Sequence, residues 1–129
     1  MFFGSLVAIV TPMKDNGDID FDQYQALLDW HLQEKTDGIV VLGTTGESPT
    51  ILGDERVQLI QKTVAQIAGR MPVIVGTGAN ATAQTITLTA QAKELGADAA
   101  LIVTPYYNKP TQNGLFEHFA TVSRAIDLP

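Results

Sequence analysis

Four times in 129 residues, a short run of apolar, mostly β-branched residues gives way to a longer stretch whose apolar residues recur at helical spacing. That alternation constrains the fold more than any other feature, because strands separated by single helices pair in parallel and need such crossovers. Near-continuous apolar strands imply that both faces of the sheet are covered. No Ser, Pro or Gly-rich linker interrupts the series, and a chain that is 45% hydrophobic and 17% charged has material for one core. Residues 1–129 therefore read as a single α/β domain with a parallel sheet. Two architectures are open at this point: an open doubly wound sheet, or part of a (β/α)8 barrel, which takes about 250 residues in full.

The first strand is expected over Leu6 to Val10, and a turn at Asp15-Asn16-Gly17-Asp18 follows it. The first helix carries Tyr24, Leu27, Leu28, His31 and Leu32 on one face, with Asp22 as its cap. The second strand, Ile39 to Leu42, precedes a helix whose apolar stripe is Val57, Ile60, Val64 and Ile67, with Asp54 and Glu55 near its positive amino end and Gly69 as its stop. Strand three is Val73 to Val75, and its helix, Thr82 to Leu95, ends at Gly96, where a left-handed residue is wanted. Strand four is Leu101 to Val103, and its helix, Gln112 to Ile126, has Leu115, Phe119, Val122 and Ile126 on one stripe. Asp127-Leu128-Pro129 looks like the approach to a fifth strand, because Gly69-Arg70-Met71-Pro72 leads into strand three in a similar way.

Three of these strands run into small polar residues: Gly43-Thr44-Thr45-Gly46-Glu47-Ser48, Gly76-Thr77-Gly78-Ala79-Asn80 and Thr104-Pro105-Tyr106-Tyr107-Asn108. In parallel α/β folds the carboxyl ends of strands are where ligands bind, since the next helix begins there with free backbone N–H groups. One such end is compatible with a tight turn, whereas three suggest a shared site. The hydroxyls of Thr44 and Thr45 can bind a carboxylate or relay a proton, or the same residues can simply make a turn with a Thr cap. Glu47 suits a general base, but an acid just past a strand end more often orders its loop by accepting backbone N–H bonds. Tyr106 and Tyr107 adjoin the proline-bounded loop Asn108-Lys109-Pro110, where a phenol can pass protons or anchor a subunit interface. Gly76-x-Gly78-x-x-Ala81 fits a dinucleotide fingerprint in spacing, yet the next strand ends in Thr104-Pro105-Tyr106 rather than in the acid that would hold a ribose.

Composition removes several function classes. Eight Lys and Arg stand against fourteen Asp and Glu, a net charge of -6, with no basic run able to track a phosphate backbone. There is no cysteine, hence no disulfide, thiolate metal site or cysteine nucleophile. His31 and His118 fall inside helices with no second ligand at helical spacing, so packing is their expected role and no metal site is expected. The stretch after Met1-Phe2-Phe3-Gly4-Ser5 lacks a preceding positive segment and breaks at Thr11-Pro12, which argues against a signal peptide or membrane span and for the cytoplasm. Schiff-base chemistry needs an amine on a strand facing a closed pocket, and Lys14, Lys35, Lys62, Lys93 and Lys109 all fall in loops or helices.

Taken in order, Val10-Thr11-Pro12, Gly43-Thr44-Thr45-Gly46-Glu47, Gly76-Thr77-Gly78-Ala79-Asn80 and Thr104-Pro105-Tyr106-Tyr107-Asn108-Lys109-Pro110 resemble the dihydrodipicolinate synthase (4-hydroxy-tetrahydrodipicolinate synthase) family over the whole chain. The resemblance implies the amino-terminal half of a TIM barrel, four β/α units truncated before strand five. It implies an enzyme, of lyase type, that condenses pyruvate with L-aspartate 4-semialdehyde through a lysine Schiff base, on the route to diaminopimelate and lysine, with no cofactor. By the same resemblance Thr45 holds the pyruvate carboxylate with its backbone N–H, Thr44 joins a proton relay between two tyrosines, and Tyr107 reaches across a tight dimer interface. The partner tyrosine, the arginine for the semialdehyde carboxylate and the Schiff-base lysine belong to strands five and six. The family forms dimers or tetramers, and in lysine-inhibited members an interface pocket corresponds to Ser48, Asn80 and Tyr106. Where those members carry histidines and a glutamate this chain has Gly53, Arg56 and Gln84, and the added cation and lost carboxylate disfavour an ammonium ligand. Three readings follow: half of such a synthase, inactive alone; a self-associating half barrel with a structural role; or a nucleotide-binding α/β domain.

Overall fold

The computed structural model describes residues 2–129. Four strands, β1 (Leu6–Ala8), β2 (Gly38–Val41), β3 (Val73–Gly76) and β4 (Ala99–Leu101), alternate with helices α1 (Phe21–Gln33), α2 (Gly53–Ile67), α3 (Thr82–Glu94) and α4 (Gln112–Ala125). The strands pair in parallel in the order β1-β2-β3-β4, with Val7 opposite Ile39, Val40 opposite Ile74 and Val75 opposite Ala100.

Strand order and face usage decide between the two architectures. A doubly wound sheet reverses its strand order and carries helices on both faces, whereas strands added sequentially in one direction belong to a barrel wall. Here Ile39, Val41, Val73 and Val75 pack with Leu28, Leu59, Ile60 and Ile67 in the main core, so that face meets the helices. On the other face Val40, Ile74 and Ala99 form a small cluster of their own, while Leu6, Val10, Leu101 and Val103 remain 37 to 51% exposed. The expectation that both faces are covered holds for the central strands β2 and β3, whose residues are all buried, and is corrected at the two outer strands, whose inward residues Leu6, Val10, Leu101 and Val103 are open. Four β/α units arranged as the amino-terminal half of a (β/α)8 barrel account for the whole chain.

Several boundaries differ from those expected. β1 ends at Ala8 rather than Val10, and β4 covers Ala99–Leu101 rather than Leu101 to Val103. Ladder pairing with the neighbour sets a strand's limits, and Ile74 pairs with Ala99, two residues ahead of the apolar run. The cap of α1 is Asp20, whose carboxylate accepts from the Gln23 backbone N–H at 3.0 Å, while Asp22 lies in the first turn. The buried stripe of α2 is Arg56, Leu59, Ile60, Thr63 and Ile67, with Val57 and Val64 only half-buried. Thr63 enters the core because it bonds the Tyr24 hydroxyl at 2.7 Å, which ties α1 to α2, and donates to the Leu59 carbonyl within α2. Ala68, in the left-handed region at φ 48, ends α2 one residue before Gly69, and Gly96 follows α3 at φ 93 as expected. The backbone carbonyl of Pro129 accepts from Ala100 of β4 at 2.8 Å, as that of Pro72 accepts from Ile39 of β2 at 3.0 Å just before β3 begins.

Candidate active site and adjoining cavity

The carboxyl ends of the strands converge through close backbone contacts that glycine permits. A Cβ on Gly76 would lie 1.8 Å from the Leu42 carbonyl oxygen, and one on Gly78 would lie 2.5 Å from the Val103 backbone nitrogen. The glycines of Gly76-x-Gly78 are therefore required by neighbouring protein backbone, which answers the spacing without a pyrophosphate. Leu42, buried and at φ 58, turns the chain out of β2 in a left-handed conformation uncommon for a branched side chain. Glu47 (φ 57), Tyr107 (φ 71) and Lys109 (φ 44) are held likewise. Backbone held in such regions concentrates at ligand sites, at a cost of about 1–3 kcal/mol each.

The segment after β2 is built from turns rather than from the start of a helix. Gly43 and Thr44 carbonyls accept from Gly46 and Glu47 at 3.1 Å, a short 3₁₀ turn covers Ser48–Thr50, and α2 begins only at Gly53. Free N–H groups of a following helix, expected at Thr44 and Thr45, are therefore not what that turn presents. The expected role of the Glu47 carboxylate is corrected too: its side chain makes no cap bond, and its backbone carbonyl instead accepts from the Thr50 N–H and hydroxyl at 2.9 and 3.0 Å. What fixes the turn is Thr11, buried at the end of the β1 segment, whose hydroxyl donates to the Gly46 carbonyl at 2.8 Å.

The next segment is held from beneath by hydroxyls on α3. Thr77 and Thr89 hydroxyls lie 2.9 Å apart, Thr89 donates to the Thr85 carbonyl, and the Ala79 N–H donates to the Thr85 hydroxyl at 3.0 Å. All three threonines are buried. The loop after β4 is tied across by Asn108, whose side-chain amide donates to the Asn80 carbonyl at 3.1 Å. Thr85 and Thr89, four residues apart on one helix face, signal such a platform in sequence, but read as polar surface when hydropathy is the guide.

A cavity of about 500 Å³ opens among these loops, and Thr44, Ser48, Arg56, Gln84 and Tyr106 line it together with Leu101 and Val103. Thr45 and Tyr107 stand outside that lining: Thr45 is exposed and Tyr107 is 94% exposed. Asn80 is half-buried and also outside that lining, engaged through its carbonyl. The structure thus gathers Thr44, Ser48 and Tyr106 around one space and leaves Thr45 and Tyr107 outside it. Arg56 is the charged group of the lining. It donates to the Ser48 hydroxyl at 2.9 Å and to the Gly76 carbonyl at 2.7 Å, and burial lowers its pKa from the usual value, with the nearby Tyr106 opposing that shift.

The two histidines are packing residues, each bonded through Nδ1 to a threonine hydroxyl at 2.9 Å, His31 to Thr36 and His118 to Thr82. Among the described residues no group of three or more His, Asp or Glu side chains is placed to hold a metal ion, and no helix is long and apolar enough to cross a membrane.

A family model described as the dihydrodipicolinate synthetase family matches residues 1–129. The chain belongs to that family. A 4-hydroxy-tetrahydrodipicolinate synthase of Coxiella burnetii is 60% identical over 128 residues, and one of Nitrosomonas europaea is 59% identical over 129. Each match covers 99 to 100% of this chain but 44% of the relative, its amino-terminal part. The fold superposes on the chloride-inhibited dihydrodipicolinate synthase of Acinetobacter baumannii complexed with pyruvate with a TM-score of 0.98 at 49% identity, covering all of this chain and 44% of that one. It superposes on YagE of Escherichia coli K12, a prophage protein of the same family in complex with pyruvate, with a TM-score of 0.94 at 29% identity. The chain thus spans less than half the length of the relatives it matches.

Proposed function

We propose that these residues supply the first half of the active site of a 4-hydroxy-tetrahydrodipicolinate synthase, which condenses pyruvate with L-aspartate 4-semialdehyde through a lysine Schiff base in diaminopimelate and lysine biosynthesis. In this reading Thr45 and its backbone N–H hold the pyruvate carboxylate, and Thr44 passes protons toward Tyr107, which completes the relay across a subunit interface in a cytoplasmic homo-oligomer. Ser48, Asn80 and Tyr106 belong to an effector pocket beside it. Carboxylate binding by hydroxyl and backbone N–H donors is charge-assisted and fixes the keto acid for attack at its carbonyl carbon.

The observation that carries this division of labour is the position of the lysines. Lys14 and Lys109 lie in loops, Lys35 follows α1, and Lys62 and Lys93 are on helices, with the Lys62 amine 5.0 Å over the Phe21 ring. An imine-forming amine has to sit in a closed, apolar pocket so that its neutral form is available. The nucleophile therefore comes from a part of the barrel outside these residues, and they bind and orient substrate without forming the imine.

A chimera tests the reading. Residues 1–129 replace the matching segment of the Coxiella burnetii relative, and condensation of pyruvate with aspartate semialdehyde is assayed. The chimera is expected to turn over, and its Thr45→Ala form to lose about 100-fold or more in kcat/KM, the scale of removing an oriented donor. A folded chimera whose activity is unchanged by Thr45→Ala contradicts the assignment.

The open inner face favours a second property, self-association of the chain as it stands. Leu6 and Val10 at the β1 side and Leu101 and Val103 at the β4 side present apolar side chains on a sheet whose β1 edge is unpaired, and both features drive association in water.

A further inference from the structure

Thr44 and Thr45 are exposed, and the turn that carries them is held through the two buried glycines that flank them, Gly43 and Gly46. On the Gly43 side the backbone is set by the left-handed Leu42, whose carbonyl oxygen packs against Gly76. On the Gly46 side it is set by Thr11. The Thr11 hydroxyl donates to the Gly46 carbonyl at 2.8 Å across 35 residues of sequence, and both residues are buried. A Cβ on Gly46 would meet the Ile9 carbonyl oxygen at 3.1 Å and the Thr11 hydroxyl at 3.3 Å, so the turn sits directly on the segment after β1.

Thr11 is itself held on both sides. The Ile9 N–H donates to the Val40 carbonyl at 3.2 Å, which continues the pairing past the end of β1, and the Pro12 carbonyl accepts from the Asp20 N–H at 2.8 Å. Proline keeps the residue before it extended, and a β-branched side chain has few χ1 rotamers, so the hydroxyl is fixed before any ligand arrives. Valine has nearly the same shape without the cost of burying a hydroxyl. What threonine adds at this position is the bond to Gly46.

We propose that Thr11 is a positioning residue for the keto-acid substrate: by holding the Gly46 carbonyl it sets where the Thr45 hydroxyl meets the carboxylate, and it acts on substrate only through that turn. The proposal rests on the reading of Thr45 as the carboxylate donor. A reacting group misplaced by about 1 Å loses on the order of 100-fold in rate, so a turn released at Gly46 both weakens pyruvate binding and misorients the bound keto acid. A hydroxyl that only stabilises the fold has neither effect on the folded enzyme.

Condensation kinetics of the chimera test this, at a temperature where circular dichroism shows the variants folded. Thr11→Val is expected to raise KM for pyruvate and lower kcat, about tenfold or more in kcat/KM, and Thr11→Ser, which keeps the hydroxyl, to stay within about threefold of the parent. Thr63→Val removes an equally buried hydroxyl between α1 and α2, and is expected to lower the unfolding midpoint while leaving kcat/KM for pyruvate within about twofold. Because Thr11 acts through Thr45, adding Thr11→Val to Thr45→Ala is expected to cost at most about threefold more. Gly46→Ala, whose Cβ forces a shift of a few tenths of an ångström at the same contact, is expected to repeat the Thr11→Val pattern and replaces that variant if it does not fold. Unchanged pyruvate kinetics in the folded variant, a Thr11→Ser loss as large as that of Thr11→Val, or full additivity with Thr45→Ala overturns the proposal. A loss of about 100-fold in Thr45→Ala beside an unchanged Thr11→Val overturns it alone, whereas Thr45→Ala without effect overturns the Thr45 reading and the proposal with it.

Discussion

At the scale of single residues, the polar groups that matter most are those the hydrophobic pattern places in the wrong class. Arg56, Thr63, Thr77, Thr85 and Thr89 are buried, and each earns its position through a specific bond: Arg56 to Gly76, Thr63 to Tyr24, the others to one another beneath the Ala79 loop. His31 belongs with them and carries a measurable consequence. It is 6% exposed, and burial lowers its pKa below the ordinary 6.5. The unfolded chain therefore takes up a proton first as the pH falls, so folding stability is present above 6.5 and is lost as pH drops from there toward the folded value. Denaturant titrations at pH 7.5 and 5.5 should show a lower midpoint at the acid pH, and His31→Gln should remove part of that difference; an undiminished difference in the variant assigns it to other groups.

At the scale of elements, the number, kind and order of strands and helices were legible from alternation alone, because each strand is a short apolar run and each helix has one apolar face. Their ends were not. β4 is placed by pairing with β3, so its own hydropathy puts it two residues late, and Val103, beyond the ladder, lines the cavity. The stripe of α2 was misplaced because Arg56 and Thr63 face the core with their partners, which valine-based periodicity does not register. The same limit applied to the site. Glycine and threonine clusters marked the strand ends correctly, but Thr11, which holds the first of them in place, carries no signal beyond being a threonine, and the i, i+4 spacing of Thr85 and Thr89 reads as polar surface by hydropathy. The cap of α1 gives a direct check on one boundary. Asp20→Ala should cost about 1 kcal/mol in a chemical denaturation series and Asp22→Ala a few tenths. The reverse order returns the cap to Asp22.

At the scale of the whole molecule, a four-stranded parallel sheet with its helices on one side fits half of an eight-stranded barrel. The segment leading to Pro129 already bonds the outer edge of β4, as the segment leading to Pro72 bonds β2. The β1 edge and the inner face carry Leu6, Val10, Leu101 and Val103 without a cover. Size-exclusion chromatography with light scattering at micromolar concentration should therefore find the chain as dimers or larger species, with the monomer favoured on dilution. A well-folded monomer across that range would show that the inner face is tolerated in water.

The central claim is that these residues hold substrate-binding groups and no imine-forming lysine. Incubation with pyruvate, reduction with borohydride and intact-mass measurement tests it most directly, with the active chimera as the positive control. The account predicts that the chimera gains the mass of one reduced pyruvate and the 129-residue chain gains none. A reduced-pyruvate adduct on one internal lysine of the chain itself would contradict it.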